Sequence, residues 1–488
     1  MHHSSEAARL RPLARPAVVA AILALVALVP RIVHLFGQTT IPDEAFTIWM
    51  ASHPFPQLLS LLRNIDFHPP LSYALASLLL HVTGKAYEFR LVSVAFGIVG
   101  VVATYFLARR IIDGAAWLAG LLTAVCPALV YFDRYYRMYA PLWALSSLSW
   151  LLLVRALENP LRGRRWVAYG ICIALFLYTQ YLAFFVFGAQ LLYVIVTHPK
   201  SWRFFVAAGA ALALWLPWLP AFLHQLPNGG TAFNQSGASY ADMRLIPGYL
   251  LTDGLPPALE YHPAYLALLW ALLVAAVCLC AARPRYRFTL WLLLPLLPQA
   301  AYGFAAGKYL MTQRYLLQDV FAMLIAICVL IVTLLNSRLR VFGLALAAGI
   351  FALMVAGTAD KLFVSEYMPV DWNVYGGFLQ SKLKPGDVIV FDDSAPFFTL
   401  MGTPPLRGRK VYEISNFKIA RAQADEIARY PRVWLIEYQW QFSDPRHLIF
   451  RKLARNHPIT REWMSTTAGY GDVVVTTLFV RPAGRRAP

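Results

Sequence analysis

Two short stretches near the start of the chain carry residue types suited to acid–base chemistry. They are Ile41-Pro-Asp-Glu-Ala-Phe46 and Ile65-Asp-Phe-His-Pro-Pro-Leu-Ser-Tyr73. Asp43 and Glu44 are adjacent carboxylates, and a carboxylate partly withdrawn from water can take the proton of an attacking alcohol. The same pair directly after Pro42 also suits the start of a helix, where acidic side chains meet unpaired N–H groups and the positive dipole end. His68 precedes two prolines, which turn the chain because neither donates a backbone hydrogen bond and each restrains the residue before it. Its imidazole can contact a phosphate or, with Asp43 and Glu44, a divalent cation, although these three residues have no diagnostic ligand spacing. Asp66 is the alternative base to Glu44 should Asp43 not serve.

Two basic patches complete the set. Asp133-Arg-Tyr-Tyr-Arg-Met-Tyr-Ala140 supplies Arg134 and Arg137, and Gly307-Lys-Tyr-Leu-Met-Thr-Gln-Arg-Tyr315 supplies Lys308 and Arg314. Arginines and tyrosines at a helix entrance can act as interfacial anchors. Arginine is equally the side chain that grips phosphate oxygens with two parallel N–H bonds. An anionic ligand accounts for both patches at once. Tyr73, Tyr139 and Tyr315, which lie in these same stretches, are candidate substrate contacts.

The elements that must position these residues are membrane helices. Hydrophobic residues make up 59% of the 488 and charged residues 14%, against about 25% charged in soluble domains. That much apolar surface requires lipid as solvent. The net charge of +18 does not indicate nucleic acid, because the basic residues cluster at the ends of apolar runs. All five cysteines lie inside those runs and have neither zinc spacing nor a disulfide framework. About eleven runs approach the ~20 residues needed to cross a bilayer: 17–36, 89–108, 115–132, 138–157, 166–179, 181–197, 203–223, 261–281, 288–306, 315–335 and 341–358. Lys and Arg gather before the first and after every second run, which places the N-terminus in the cytoplasm. The loops 37–88, 133–137, 224–260 and 307–314 then face outwards, and Lys308 and Arg314 stand against the positive-inside trend.

Residues 1–358 thus read as a membrane module with the long outer loop 37–88, and 359–488 as a soluble extracytoplasmic domain. In the tail, β-rich runs (387–391, 410–414, 433–437, 473–480) alternate with helical patterns (372–383, 422–430, 447–456), the sign of a small α/β domain.

Taken in order, several stretches resemble the dolichyl-phosphate-mannose–protein mannosyltransferase family, glycosyltransferase family 39, of GT-C fold. They are Pro42-Asp-Glu-Ala, His68-Pro-Pro-Leu-Ser-Tyr, Glu88-Phe-Arg-Leu-Val-Ser, Tyr136-Arg-Met-Tyr-Ala, Leu177-Tyr-Thr-Gln-Tyr-Leu-Ala, Leu216-Pro-Trp-Leu-Pro and Arg314-Tyr-Leu-Leu, followed by Asp371-Trp and Lys384-Pro-Gly-Asp-Val-Ile in the tail. Gln180 departs from the family, where many members carry His. The resemblance implies a multi-pass enzyme of the inner (plasma) membrane and a polyprenyl-phosphate-linked sugar as donor. The acceptor hydroxyl would belong to a glycolipid, a polysaccharide or a protein. It assigns the catalytic carboxylate to Asp43, with Glu44 orienting the acceptor or tuning Asp43. The donor phosphate falls to His68, Arg134, Arg137, Lys308 and Arg314. The rival reading is a transporter or flippase for a polyprenyl-linked lipid or glycan, whose signature would be ionisable residues at mid-membrane depth and paired broken helices.

Overall fold

The computed structural model describes residues 15–37, 40–84, 88–112, 114–226, 240–307, 310–364, 372–401, 403–438, 440–466 and 473–481. Lys308 and Asp371 lie outside them. The chain forms two compact units. One comprises residues 1–35 and 50–362, the other 36–49 and 363–488.

The first unit is helical and the chain is a multi-pass membrane protein. Each of the eleven apolar runs falls on helix. Among the described residues seven helices are long and apolar enough to cross a bilayer: Phe89–Ala108, Tyr139–Glu158, Trp202–Gln225, Pro263–Ala282, Pro284–Ala305, Gln313–Leu335 and Arg340–Phe363. Pro16–Ile32, Leu71–Thr83, Ala116–Val125 and Ala183–Thr197 are shorter apolar helices. The run at 115–132 is divided because Pro127 cannot continue the helix that ends at Val125 and instead begins the next. Burial sorts the spans. The apolar window of Gln313–Leu335 is 89% buried and that of Pro263–Ala282 only 28%, so the former is central and the latter faces lipid.

At its N-terminal end the unit carries α1 (Pro16–Ile32), α2 (Pro42–Ala51, shared with the second unit), α3 (Phe55–Ile65), α4 (Leu71–Thr83) and α5 (Phe89–Ala108). Residues 42–65 form two helices, α2 and α3, separated before Phe55 by Pro54.

A buried ion pair locks this end. Arg31 Nε lies 2.8 Å from Asp133 Oδ2, both side chains fully buried, and Trp143 Nε1 donates to Asp133 Oδ1 at 2.7 Å. Arg31 also donates to the carbonyls of Ala27 and Ala124. Gly97 makes room for the pair, since a Cβ there would stand 2.3 Å from Asp133 Oδ2. The pair thus joins the segment before the turn at Asp133 to α1 through a bond made inside the protein.

The second unit contains a five-stranded mixed sheet of β1 (Val388–Phe391), β2 (Lys410–Glu413), β3 (Arg432–Glu437), β4 (Ile459–Thr466) and β5 (Val473–Val480), in the order β2-β1-β3-β5-β4. β1 runs parallel to β2 and β3, while β5 is antiparallel to β3 and β4. Alternate side chains feed two cores. Ile389, Phe391, Trp434 and Ile436 pack with Trp372, Tyr375 and Leu379, while Val388, Val390, Val433 and Leu435 pack with Ala424, Ile427 and Leu453. Helices on both faces explain why β1 reads as an unbroken apolar run. Helices form at Trp372–Lys382, Phe417–Ile427 and Leu448–Asn456, the first and third close to the sequence patterns and the second beginning five residues before the pattern at 422–430. β4 escaped the sequence reading because Thr460, Arg461, Glu462, Ser465 and Thr466 obscure its alternation. It is an edge strand, paired with β5 alone, where polar residues are tolerated.

Asp387 closes the turn into β1. It accepts from Lys384 N at 2.9 Å, Arg432 Nε at 2.7 Å and Trp434 Nε1 at 2.7 Å. Burial acts to raise its pKa, but the bonds from Arg432, Lys384 and Trp434 outweigh it and hold the carboxyl below its ordinary value. A folded pKa below the unfolded ~3.9 contributes stability that is complete above that pH and is lost as pH falls through the folded value. Asp387→Ala should cost the tail about 2 kcal/mol at neutral pH, read by pulse proteolysis of the detergent-purified chain. The deficit should shrink on acidification below pH about 4.

Candidate active site

Asp43 and Glu44 sit in the first turn of α2. Glu44 is buried, and its Oε2 accepts from Ile41 N at 3.3 Å, a contact of the capping kind. Asp43 is half-buried, and its carbonyl accepts from the Thr47 hydroxyl at 2.9 Å. This acidic end belongs to the second unit, where Phe46 and Trp49 each pack on Phe398 with ring centres 5.1 Å apart. The helix start anticipated from Pro42 is present. It leaves the Asp43 carboxylate at the head of a helix rather than in a loop.

In the first unit, four side chains from three segments converge. His68 Nδ1 lies 2.9 Å from Asp66 Oδ1, and Arg137 Nη1 donates to the Tyr73 hydroxyl at 3.0 Å. Tyr73 hydrogen-bonds in turn to Asp66, whose charge also faces Arg137. The local chain explains the meeting. Pro69 and Pro70 turn the backbone after His68 into α4, so Tyr73 lies in its first turn and is buried. Leu71 N donates to Tyr178 O at 3.1 Å and Tyr136 donates its hydroxyl to Ser72 O at 2.8 Å. These bonds pin the start of α4 beside the 133–138 turn.

Burial acts to raise the pKa of Asp66, but His68 beside it, then Arg137 and Tyr73, hold it below the ordinary carboxylate range. Asp66 is thus an anion. Its Oδ2 is buried with no hydrogen-bond partner among the described residues. A carboxylate on Nδ1 also fixes the imidazole's orientation and leaves Nε2 as its second hydrogen-bonding position.

The other basic candidates divide. Arg134 Nη1 donates to Pro30 O at 2.9 Å and Val33 O at 2.6 Å, which ties it to the last carbonyls of α1. Such bonds are those of a helix anchor. Arg314 lies over the Tyr315 ring at 5.3 Å, and Tyr315 O accepts from Gln299 Nε2 at 3.2 Å. Tyr139 is buried against Phe132, ring centres 5.0 Å apart. Gln180, where the motif departs, is buried and accepts from Tyr181 N at 2.8 Å.

A second buried polar group was not read from the sequence. Asp253 pairs with Lys361 at 2.7 Å and accepts from Gln313 Nε2 at 2.6 Å. Glu260 nearby is pushed up to about 7 by burial, with the charge of Asp253 adding to it. The signal available was weak, because Asp253 and Lys361 lie 108 residues apart (361 − 253) in otherwise apolar surroundings. As for metals, among the described residues the three ligand-type side chains whose donor atoms converge are Asp392, Glu437 and His447 in the tail. Asp43 and Glu44 are not part of that group.

Residues 67–220 match the family model described as dolichyl-phosphate-mannose-protein mannosyltransferase. No curated protein matches the chain. Among solved structures the chain is similar to ArnT from Cupriavidus metallidurans in the apo state, with 13% identity, 97% of this chain and 98% of that chain covered, and a TM-score of 0.52. The same protein bound to undecaprenyl phosphate matches at 13% identity over 97% and 99% of the two chains, TM-score 0.52. The archaeal oligosaccharyltransferase AglB from Archaeoglobus fulgidus, solved with an inhibitory peptide and a dolichol-phosphate, matches at 12% identity over 94% of this chain and 74% of that one, TM-score 0.54. The chain therefore has the GT-C fold of membrane glycosyltransferases.

Proposed function

We propose that this chain moves a sugar from a polyprenyl-phosphate donor to an acceptor hydroxyl on the outer face of the plasma membrane. The observation that carries the reading is the convergence of His68, Tyr73 and Arg137 on Asp66. Of these, His68, Tyr73 and Arg137 fall within the segment that matches the mannosyltransferase model. Arginine and an imidazole N–H suit a lipid phosphate, because both can donate to the oxygens on which negative charge grows as the sugar–phosphate bond breaks. In this reading Arg137 and His68 bind the phosphate, Tyr73 positions Arg137, and Asp66 holds both in register. Arg314 and Lys308 add positive charge from the later outer loop.

Asp43 serves as the base. The acceptor oxygen attacks the anomeric carbon, its proton passes to Asp43, and the bond from that carbon to the phosphate oxygen breaks. Polyprenyl phosphate leaves and the anomeric centre inverts. A phosphate leaving group needs no protonation, so a second carboxylic acid of the hydrolase kind is not required. The undecaprenyl phosphate and dolichol-phosphate bound to the two structural relatives support this donor class. The positive-inside pattern supports the outer face. The acceptor is a glycolipid, a polysaccharide or a protein.

The flippase reading has less support. The buried Arg31–Asp133 pair is committed to fixed partners, and the fold is that of transferases.

Mass spectrometry of envelope glycolipids, polysaccharides and proteins, with and without the chain, tests the proposal. One glycan class should lose a single sugar when the chain is absent. Unchanged glycans, with a lipid-linked sugar accumulating on the cytoplasmic leaflet, would instead indicate transport.

A further inference from the structure

We infer that the second unit carries a divalent transition-metal site, built from Asp392, Glu437 and His447 at the carboxyl ends of β1 and β3. Asp392 follows the last residue of β1, and Glu437 is the last residue of β3. The two strands are parallel neighbours, so their ends bring both carboxylates to one edge of the sheet. His447 joins them from the segment before the helix Leu448–Asn456. One donor atom from each of the three lies within 4.8 Å of the others, close enough for a single ion to bind all three.

The independent sign of a ligand is Asp392. Its side chain is 0% exposed, and neither carboxylate oxygen has a hydrogen-bond partner among the described residues. Its backbone is committed, with N donating to Ile436 O at 2.9 Å and O accepting from the Ser443 hydroxyl, which fixes its Cα at the end of the sheet. A buried carboxylate without a partner is costly, and a bound cation removes that cost. Asp444 behaves alike. It is 0% exposed, its Oδ2 accepts from Ile449 N at 2.8 Å, and its Oδ1 has no partner among the described residues.

The ordinary alternative is a buried ion pair between His447 and Glu437, which do hydrogen-bond through Nε2 and Oε1. That pair satisfies Glu437 and leaves both oxygens of Asp392, and Oδ1 of Asp444, unanswered.

The imidazole is also held to a degree that a casual pair does not need. Its ring stacks on Trp440 at 4.2 Å and 18°, and on Phe450 at 4.6 Å and 12°. The backbone at His447 has φ +51°, a left-handed conformation that costs a non-glycine residue energy. One imidazole nitrogen with carboxylate oxygens suits Zn²⁺, or Mn²⁺ with added water, better than Ca²⁺ or Mg²⁺, which favour larger all-oxygen sets. Three protein ligands leave a fourth tetrahedral position for water. The ion would tie β1, β3 and the 440–447 segment together.

The test uses the full chain in detergent, stripped with a chelator and dialysed against Zn²⁺. Wild type should retain one equivalent more than Asp392→Asn or His447→Gln, and Zn²⁺ should raise the thermal midpoint of the tail in wild type only. His447 is part-exposed, so His447→Gln carries the comparison if Asp392→Asn fails to fold. Co²⁺ bound to wild type should show d–d absorption displaced by one equivalent of Zn²⁺, a reading that needs no variant. Equal zinc in wild type and folded variants overturns the inference, as does a wild type that takes up none of Zn²⁺, Mn²⁺ and Co²⁺.

Discussion

Asp43→Asn should express and fold normally, bind the lipid-phosphate donor, and transfer sugar about 10²–10⁴ times more slowly than wild type. The separation is sharp because Asp43 is the second residue of α2, where replacing the charged side chain forgoes only a helix-dipole interaction of about 0.3–1 kcal/mol. A purely structural Asp43 would therefore leave both Asp43→Asn and Asp43→Ala folded and near wild-type rate. Single-turnover transfer at saturating donor, measured beside donor affinity, distinguishes these cases. Wild-type turnover in purified Asp43→Asn would remove Asp43 from the chemistry. The base would then be sought at Glu44 or at Asp66, which remains ionised beside His68 and Arg137.

Arg137→Ala should weaken donor binding about ten- to hundredfold, from the roughly 1.5–3 kcal/mol carried by a hydrogen bond to a charged group. Lysine should rescue it only in part, since an ammonium cannot form the two parallel bonds of the guanidinium fork. Arg134→Ala provides the contrast. Its guanidinium is taken up by the carbonyls of Pro30 and Val33, so its loss should appear in thermal stability before donor affinity. Titration with polyprenyl phosphate alone checks both. Unchanged affinity in Arg137→Ala would make that residue an anchor too, and would move the donor site elsewhere.

The apolar runs and four of the five strands of the tail were legible because both depend on local pattern. A run such as Gln313–Leu335 is apolar throughout, and Val388–Phe391 is apolar on both faces because helices cover both. β4 was not legible, since an edge strand can carry the exposed Arg461 and Glu462, which break the apolar alternation. In the site, the turn imposed by Pro69 and Pro70 could be read from the sequence, and so could the types of His68, Tyr73 and Arg137. The central place of Asp66 could not, because it depends on Arg137 reaching Tyr73 across 64 residues (137 − 73). The Arg31–Asp133 pair was hidden for the same reason. Arg31 lies inside the first apolar run, 17–36, and gives no hint that it is fully buried 102 positions from its partner (133 − 31).

The shared membership of residues 36–49 and the tail in one compact unit bears on how this chain can be cut and how it can diverge. A truncation after Leu362 would look like the removal of an accessory domain. It would also take away Phe398, the ring on which Phe46 and Trp49 of α2 rest. The same reasoning applies to drift across generations. A substitution at Phe398 and one at Trp49 are moves in a single interlocking piece, so the first loop and the far end of the polypeptide should be inherited together, and a chimera that takes one from each parent should lose the seat of Asp43.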